Sequence, residues 1–324
     1  MNRIAQQQRD LFQLLQNQIA TITQATEKTT EATLKNELQN QSVEAYFANA
    51  FTAALLSVAS VDVQAGESAG RVEIRNLEEL QLLGRYGFRH NAMIRQVKLP
   101  EGMTVVPHSF FFGCVGLERI ELPASIRKID DYAFFGCRNL KLIRLEEGLE
   151  QIGEFAFSDC TALTEVCIPK SVAQIGVAAL RNCTALHKLT FAPGSCLVSA
   201  GSHMLQNGTS LENCELPDGI KQIPTSMFYG CTALKALRIP AQAASIDGYA
   251  FYGCTDLKSI TFENPQLQFL PHALAGVRQR DLILTGVGRL AYPEEEQTVA
   301  AQDLLLGETQ RQTDEQIKRQ PQQA

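Results

Sequence analysis

Six cysteines recur at one position of a repeated pattern, and their thiols could take part in more kinds of chemistry than any other side chains in the chain. Four lie 23 residues apart and two follow a longer interval that ends at Gly208: Cys114, Cys137, Cys160, Cys183, Cys231 and Cys254. Thiols form disulfides, bind zinc or, once deprotonated, act as nucleophiles. Stacked turns of chain would place equivalent thiols about 4.8 Å apart, but side chains in register point the same way rather than at each other. We therefore predict free thiols packed as small hydrophobes, with Cys167, Cys196 and Cys214 also free.

Other candidate chemistry is sparse. The five histidines are scattered, without the spacing of a zinc site, and the carboxylates form no evident acid–base pair. Gly286, Gly288 and Ala291 follow an apolar run as in a dinucleotide-binding loop, but Pro293 interrupts the helix that such a loop requires. No nucleophile elbow or phosphate loop is present. The sequence predicts no enzyme, no cofactor and no metal; catalysis is the least favoured class.

Composition excludes further classes. Hydrophobic residues make up 45% of the chain and charged residues 20%, and the formal net charge is −6. The acidic excess lies in the two ends, whereas the middle carries nearly equal numbers of basic and acidic side chains. A near-neutral array has no electrostatic footprint for nucleic acid. The absence of Trp and an aromatic content of 7% also argue against a base- or sugar-stacking platform.

The cysteines belong to a repeat of the form A-F-x-G-C-x-x-L-x-x-I-x-L-P-x-x-I-x-x-I-G. In the clearest copy the repeated positions are Ala133, Phe134, Gly136, Cys137, Leu140, Ile143, Leu145, Leu149, Ile152 and Gly153. A fixed period of this length is typical of a solenoid, in which each coil of chain stacks on the next. Ile120 and Leu122 alternate with Arg119 and Glu121, which is the period of a strand. The two extra residues of the 25-residue interval are expected within 193–202.

Over residues 86–277 this pattern resembles the BspA-like branch of the leucine-rich repeats. The shared motifs are Phe-x-Gly-Cys, Leu-Pro and Ile-Gly at recurring offsets. The resemblance implies a leucine-rich-repeat solenoid of about eight 23-residue turns with a parallel strand ladder. With the α-helical extension that the apolar stripe upstream predicts, the expected fold class is α+β. Family members are typically surface or secreted adhesion and interaction proteins, so the resemblance also implies protein binding.

Three regions are predicted: a helical N-terminal extension (1–70), the solenoid with its caps (71–291), and an acidic, partly helical or disordered tail (292–324). An apolar stripe within residues 1–61 suggests self-association or packing onto the array. The apolar segment 45–61 is either a packed helix or a membrane segment, and the former is favoured. No standard signal peptide is visible, which leaves a surface, secreted, cytoplasmic or virion-associated location open.

The outward-facing strand residues are the candidate binding surface. They form two columns whose charged members are Lys98, Arg119, Glu121, Arg144, Glu165, Lys188, Glu215 and Arg238. Neighbours in a column would lie on adjacent strands, which predicts cross-strand ion pairs in Lys98–Glu121–Arg144, in Glu165–Lys188 and in Glu215–Arg238. Such pairs could serve only to tune the sheet. They could also form a mixed polar face that docks a protein.

Two functions therefore stay open. The favoured one is a non-catalytic protein-binding or adhesion module whose partner is an unidentified protein. The alternative is a structural component of a larger assembly, such as a prophage or envelope particle, oligomerised by the N-terminal helix. Asn182 and Asn207 each begin a glycosylation sequon, which we interpret as a coincidence of composition.

Overall fold

The computed structural model describes residues 70–74, 76–77, 80, 87–277 and 282–286. Residues 1–69 of the predicted helical extension (1–70) lie outside these residues, as do its predicted self-association and the tail at 292–324.

The array is built on a parallel sheet of ten strands, one from each successive coil. In order across the sheet they are β1 (Arg71–Glu73), β2 (Gln96–Lys98), β4 (Arg119–Glu121), β6 (Leu142–Ile143), β8 (Glu165–Ile168), β10 (Lys188–Phe191), β12 (Asn213–Glu215), β14 (Ala236–Ile239), β16 (Ser259–Phe262) and β18 (Ile283–Gly286). Buried and exposed residues alternate along each strand from β1 to β16, so every second side chain enters the core. We call this the main sheet.

A second, short strand follows each main strand from β2 to β16 after a turn. These strands form a five-stranded and a three-stranded parallel sheet. The first contains β3 (Val105–Val106), β5 (Lys128–Ile129), β7 (Gln151–Ile152), β9 (Gln174–Ile175) and β11 (Ser199–Ala200), and the second contains β13 (Gln222–Ile223), β15 (Ser245–Ile246) and β17 (Gln268–Phe269). Prolines mark the intervening turn: Pro123 accepts a hydrogen bond from the Ile126 N–H at 3.1 Å, and Pro169 from Val172 at 3.2 Å.

The break between the two short sheets coincides with the 25-residue interval. Nine residues separate the first residues of β8 and β9, whereas eleven separate those of β10 and β11. The two extra residues therefore lie within 192–198, which overlaps the predicted range 193–202. They displace β11 from β13, and β10 keeps a single register pair with β12, Leu189 with Cys214.

The loop that returns the chain to the main sheet requires two left-handed residues in each coil. In one coil these are Tyr132 (φ 56°) and Gly136 (φ 70°). Glycine adopts this conformation without steric penalty, which explains its recurrence before Cys. The loops are also hydrogen-bonded from coil to coil: the Phe134 N–H donates to Ala156 O and the Gly136 N–H to Ser158 O, both at 2.8 Å. Register is thus fixed in the loops as well as in the strands.

Phenylalanine rings fill the core beneath these loops. Phe88, Phe111, Phe134 and Phe157 stack face to face, with ring centroids 5.4, 5.1 and 5.1 Å apart and interplanar angles of 11°, 7° and 3°. Leucines occupy this position in the next two coils, and the stack resumes with Phe228 and Phe251 at 5.5 Å. This parallel stacking follows from the in-register coils, since aromatic pairs free to orient prefer offset or edge-to-face arrangements.

The predicted solenoid and parallel ladder are confirmed, but the number of turns is slightly larger than predicted. The ten stacked strands correspond to about nine turns, whereas about eight were predicted. The additional rung is β18, which continues the ladder past the last recognisable repeat: Ser259 pairs with Ile283 and Phe262 with Gly286. Backbone pairing needs no consensus side chain, so the ladder outlasts the sequence pattern.

Replacing Phe134 by Ala should lower the free energy of unfolding by about 3–5 kcal/mol, because the ring is fully buried between two others and leaves a cavity. Phe134→Leu is the matched control and should cost clearly less, since Leu180 and Leu205 fill this position in other coils. Urea unfolding followed by circular dichroism measures both. Equal losses for the two variants would contradict the stacked-ring core.

Candidate functional site

All eight predicted surface residues belong to the outward face of the main sheet. Seven lie within its strands, and Arg144 directly follows β6. Their neighbours in each strand, such as Ile120 beside Arg119, point into the core and are buried. The register places equivalent residues on adjacent strands, for example Arg119 beside Leu142 and Lys188 beside Glu165. The face is therefore a set of ordered columns of exposed side chains on a packed support.

One of the predicted cross-strand ion pairs is confirmed. Lys188 Nζ lies 3.3 Å from Glu165 Oε2, and the His187 ring lies 3.8 Å from the other oxygen of the same carboxylate. Both side chains of the Lys188–Glu165 pair are about half exposed. Its contribution to stability is thus limited by solvent screening.

The other predicted pairs have different partners. Lys98 Nζ contacts Glu73 at 2.8 Å instead of Glu121, and Arg144 Nε contacts Glu146 at 2.7 Å. Arg238 bonds both Asp218 and Glu263 at 3.0 Å rather than Glu215. Glu73 belongs to the same column as Lys98 but lies on β1, one strand before the predicted pairs begin. The partners of Arg144 and Arg238 lie outside the columns. Long cationic side chains also reach carboxylates in the following turns, and the guanidinium fork can engage two at once.

The residues that directly precede the main strands form a third column that contains charged side chains. The sequence reasoning did not predict it. Arg95 Nη1 contacts Glu118 at 2.6 Å, and Lys141 contacts the same carboxylate at 3.7 Å. Further along, Lys235 contacts Glu212 at 2.5 Å. The sequence did contain a signal, since charges of opposite sign recur here at the repeat period. The hydrogen bond from Arg95 lowers the pKa of Glu118, and the hydrogen bond to Glu73 raises the pKa of Lys98.

The face has a shallow depression at its N-terminal end. Its lining side chains include Arg71, Gln96, Lys98, Arg119, Glu121, Leu142 and Arg144. Leu142 is 55% exposed, which is unusual for a leucine at a strand position of the array. The depression thus combines an apolar contact with a predominantly cationic surround.

The recurrent thiols lie in the core, as predicted. Each of the six is buried, and its Sγ donates to a backbone carbonyl 26 residues earlier: Cys137 bonds Phe111 O at 3.1 Å and Cys160 bonds Phe134 O at 3.2 Å. Burial raises the pKa of Cys114 and of Cys254 from 9.0 to about 12. Burial is the main reason that the pKa of Cys137 lies well above its ordinary value, and the neighbouring Cys114 raises it further. Such thiols are neutral at physiological pH and are poor nucleophiles.

The remaining three cysteines differ in exposure. Cys214 occupies an inward strand position and is buried, and burial raises its pKa to about 12. Cys167 and Cys196 are exposed, and all nine cysteines are free. Cys167 therefore adds a thiol to the outward face of the main sheet.

Two asparagines of the sequons form part of a ladder within the loops. Asn182 Nδ2 donates to Asp159 Oδ1 at 2.9 Å, and Asn207 Nδ2 donates to Asn182 Oδ1 at 2.8 Å. All three residues are left-handed, with φ between 58° and 60°, at the position that Gly136 occupies in its coil. Asn and Asp are the side chains that best tolerate this conformation. Their recurrence before Cys183 and Gly208 thus has a structural cause.

The remaining candidates are the histidines, possible metal ligands and the glycine motif that begins at Gly286. Burial, with the adjacent Arg89, lowers the pKa of His90 to about 4, and burial also lowers that of His203. Within the described part of the chain, no group of three or more His, Cys, Asp or Glu side chains is placed to hold a metal ion. Gly286 is the last residue of strand β18, and Gly288 and Ala291 lie outside the described residues.

The apolar segment 45–61 also lies outside the described residues. Among those that are described, none forms a helix with the length and hydropathy needed to cross a bilayer.

Recurring coils of nearly one length, with a strand, a Leu-Pro turn and a Phe-x-Gly-Cys loop, define the class as a leucine-rich-repeat solenoid. The profile of the BspA type leucine rich repeat region matches residues 81–198 and 150–277, with six copies. These ranges cover more than half of the chain. The chain belongs to the BspA type leucine-rich-repeat family.

Several solved structures are similar. A leucine rich cell surface protein from Faecalibacterium prausnitzii is 25% identical over 64% of this chain and 62% of its own, with a TM-score of 0.42. A leucine-rich repeat protein from Bacteroides ovatus is 19% identical over 69% and 63%, with a TM-score of 0.46. The leucine rich repeat protein of T. pallidum is 27% identical over 57% and 71%, with a TM-score of 0.36.

The match spans less than two thirds of the length of the Faecalibacterium and Bacteroides proteins. No curated protein matches the chain.

The buried thiols predict an alkaline loss of stability. A group whose pKa is raised by folding stabilises the folded chain below its unfolded pKa, here 9.0, and this stabilisation is lost as pH rises toward the folded value of about 12. Each thiol should then lower the free energy of unfolding by about 1.4 kcal/mol per pH unit above pH 9.

Cys254→Ala removes one of these thiols and leaves the other titrating groups in place, although Cys254 also helps to raise the pKa of Cys231. Denaturant titrations between pH 7 and pH 11 should show a free energy of unfolding that is constant near neutral pH and falls above pH 9. The fall should be less steep for the variant, by about 1.4 kcal/mol per pH unit. Parallel profiles for the variant and the unsubstituted chain would show that the thiol ionises equally in both states, contrary to its burial.

Proposed function

We propose that this chain is a non-catalytic protein-binding module of the adhesion or interaction type. Its contact surface is the outward face of the main sheet, through Lys98, Arg119, Glu121, Arg144, Glu165, Lys188, Glu215 and Arg238. The observation that carries the proposal is the continuity of this face: ten parallel strands present exposed side chains in fixed columns. Extended solenoid faces of this kind suit large protein ligands.

The physical state of the surface side chains supports binding over a purely structural role. The Arg144 side chain is 84% exposed, although it contacts Glu146. Exposed ion pairs contribute only about 0–1 kcal/mol to stability. Charges that stabilise so little are available to set the specificity and the rate of association with a partner.

The chemistry of the described residues also favours recognition over catalysis. The recurrent thiols are buried and hydrogen-bonded to carbonyls, and the two histidines with lowered pKa values are set into the loops. The charged residues of the face are spread along columns and do not converge on a pocket. Family membership agrees with this assignment, since leucine-rich repeats are interaction modules.

The test is a comparison of matched surface variants in a quantitative pull-down. Immobilised full-length protein is exposed to solubilised cell-surface proteins, and bound proteins are quantified by mass spectrometry. Arg144→Glu changes the charge of the main sheet, and Lys221→Glu makes the same change beside the short strand β13. We expect the same bound protein with the unsubstituted chain and with Lys221→Glu, and at least a tenfold loss with Arg144→Glu.

Circular dichroism should show that both variants retain the fold, because both side chains are exposed. Equal capture by the two variants, or a loss confined to Lys221→Glu, would place the contact elsewhere and overturn the proposal.

A further inference from the structure

We propose that the first four strands of the main sheet bind an extended acidic segment of a partner protein, with one apolar side chain of that segment against Leu142. This inference rests on the proposed function and specifies the chemistry of the partner. It names a defined part of the face, formed by β1, β2, β4 and β6.

The charges on the main sheet are unevenly distributed along the stack. At the outward and preceding positions of the first four strands, six cations face three carboxylates: Arg71, Arg95, Lys98, Arg119, Lys141 and Arg144 against Glu73, Glu118 and Glu121. The outward residues of the last two strands are uncharged: Ser259, Thr261, Ile283 and Thr285. The face therefore has a basic end, which attracts an acidic ligand and orients it along the stack.

Two of these cations are available to a ligand. Arg71 and Arg119 are exposed, and neither forms an ion pair with another side chain in the described ranges. Arg144 contacts Glu146 but remains 84% exposed. Arginine can bind a carboxylate in a bidentate manner, so a Glu or Asp side chain is the matching group.

The exposed leucine explains why the ligand must also carry an apolar group. Leu142 pairs in register with Arg119, so its 55% exposed side chain lies directly beside an available guanidinium. Both residues line the same depression. An apolar side chain that covers Leu142 removes hydrocarbon surface from water at about 25 cal/mol per Å².

The pattern of this surface favours a peptide over a nucleic acid. Glu73 and Glu121 alternate with cations along one column and would repel a continuous phosphate backbone. The outward strand positions that the structure describes contain no aromatic side chain on which a base could stack. A peptide can place its carboxylates selectively and leave neutral residues opposite the glutamates.

The test uses the full-length chain and a fluorescein-labelled nonapeptide with four glutamates on each side of one leucine. Fluorescence anisotropy at low salt should show saturable binding that weakens as salt is added. Arg119→Glu should reduce the affinity at least tenfold. Lys258→Glu is the matched control at the other end of the same sheet and should change the affinity by less than twofold.

Peptide variants keep the test decisive even if a protein variant is destabilised. Replacing the glutamates by lysines should abolish binding to the unsubstituted protein, and replacing the leucine by serine should weaken it at least threefold. Absence of binding by the acidic peptide, equal loss with Arg119→Glu and Lys258→Glu, or tighter binding of a decathymidylate strand would each overturn the inference.

These outcomes are distinct from failure of the proposed function. If Arg144→Glu abolishes capture of the partner but the acidic peptide does not bind, the strand face is the contact surface and only its acidic specificity is wrong. If capture is also unaffected, both proposals fail.

Discussion

In-register backbone hydrogen bonding between successive coils is the constraint on which the structure depends. The bonds run through the strands and also through the loops, where Phe134 and Gly136 donate to the next coil. Once this register is fixed, each side chain stacks on its equivalent in the adjacent coil. A residue type that suits a position once suits it repeatedly, and this explains both the phenylalanine stack and the thiol column. A single coil has no neighbour to complete its core, so stability comes from stacking.

The same constraint organises the surface. Exposed residues form columns because their buried neighbours do, so the pattern of charge on the face follows directly from the sequence and the repeat period. The two-residue insertion shows how locally this order can be interrupted. It separates β11 from β13, yet the main sheet continues through Leu189 and Cys214. The main sheet, which carries the proposed binding face, is thus continuous even where the short strands are divided into two sheets.

The sequence predicts most of the fold and less of the site. The repeat period and the alternation of apolar and polar residues identify the solenoid, the main strands and the inserted residues, because these depend on positions that are repeated. The extra rung at β18 was not predicted, since backbone pairing continues after the consensus residues end. The partners of Lys98, Arg144 and Arg238 were predicted incorrectly, because a flexible cation chooses among several carboxylates within reach. The depression at Leu142 depends on the arrangement of several long side chains, which the repeat period does not specify.

Thiol labelling of the native protein tests the stacked register most directly. Iodoacetamide treatment without denaturant, followed by peptide mass spectrometry, should modify Cys167 and Cys196 and leave the seven buried cysteines unmodified, whereas all nine should react after unfolding. Modification of Cys137 or Cys160 in the native state at a rate similar to that of Cys167 would contradict the in-register core.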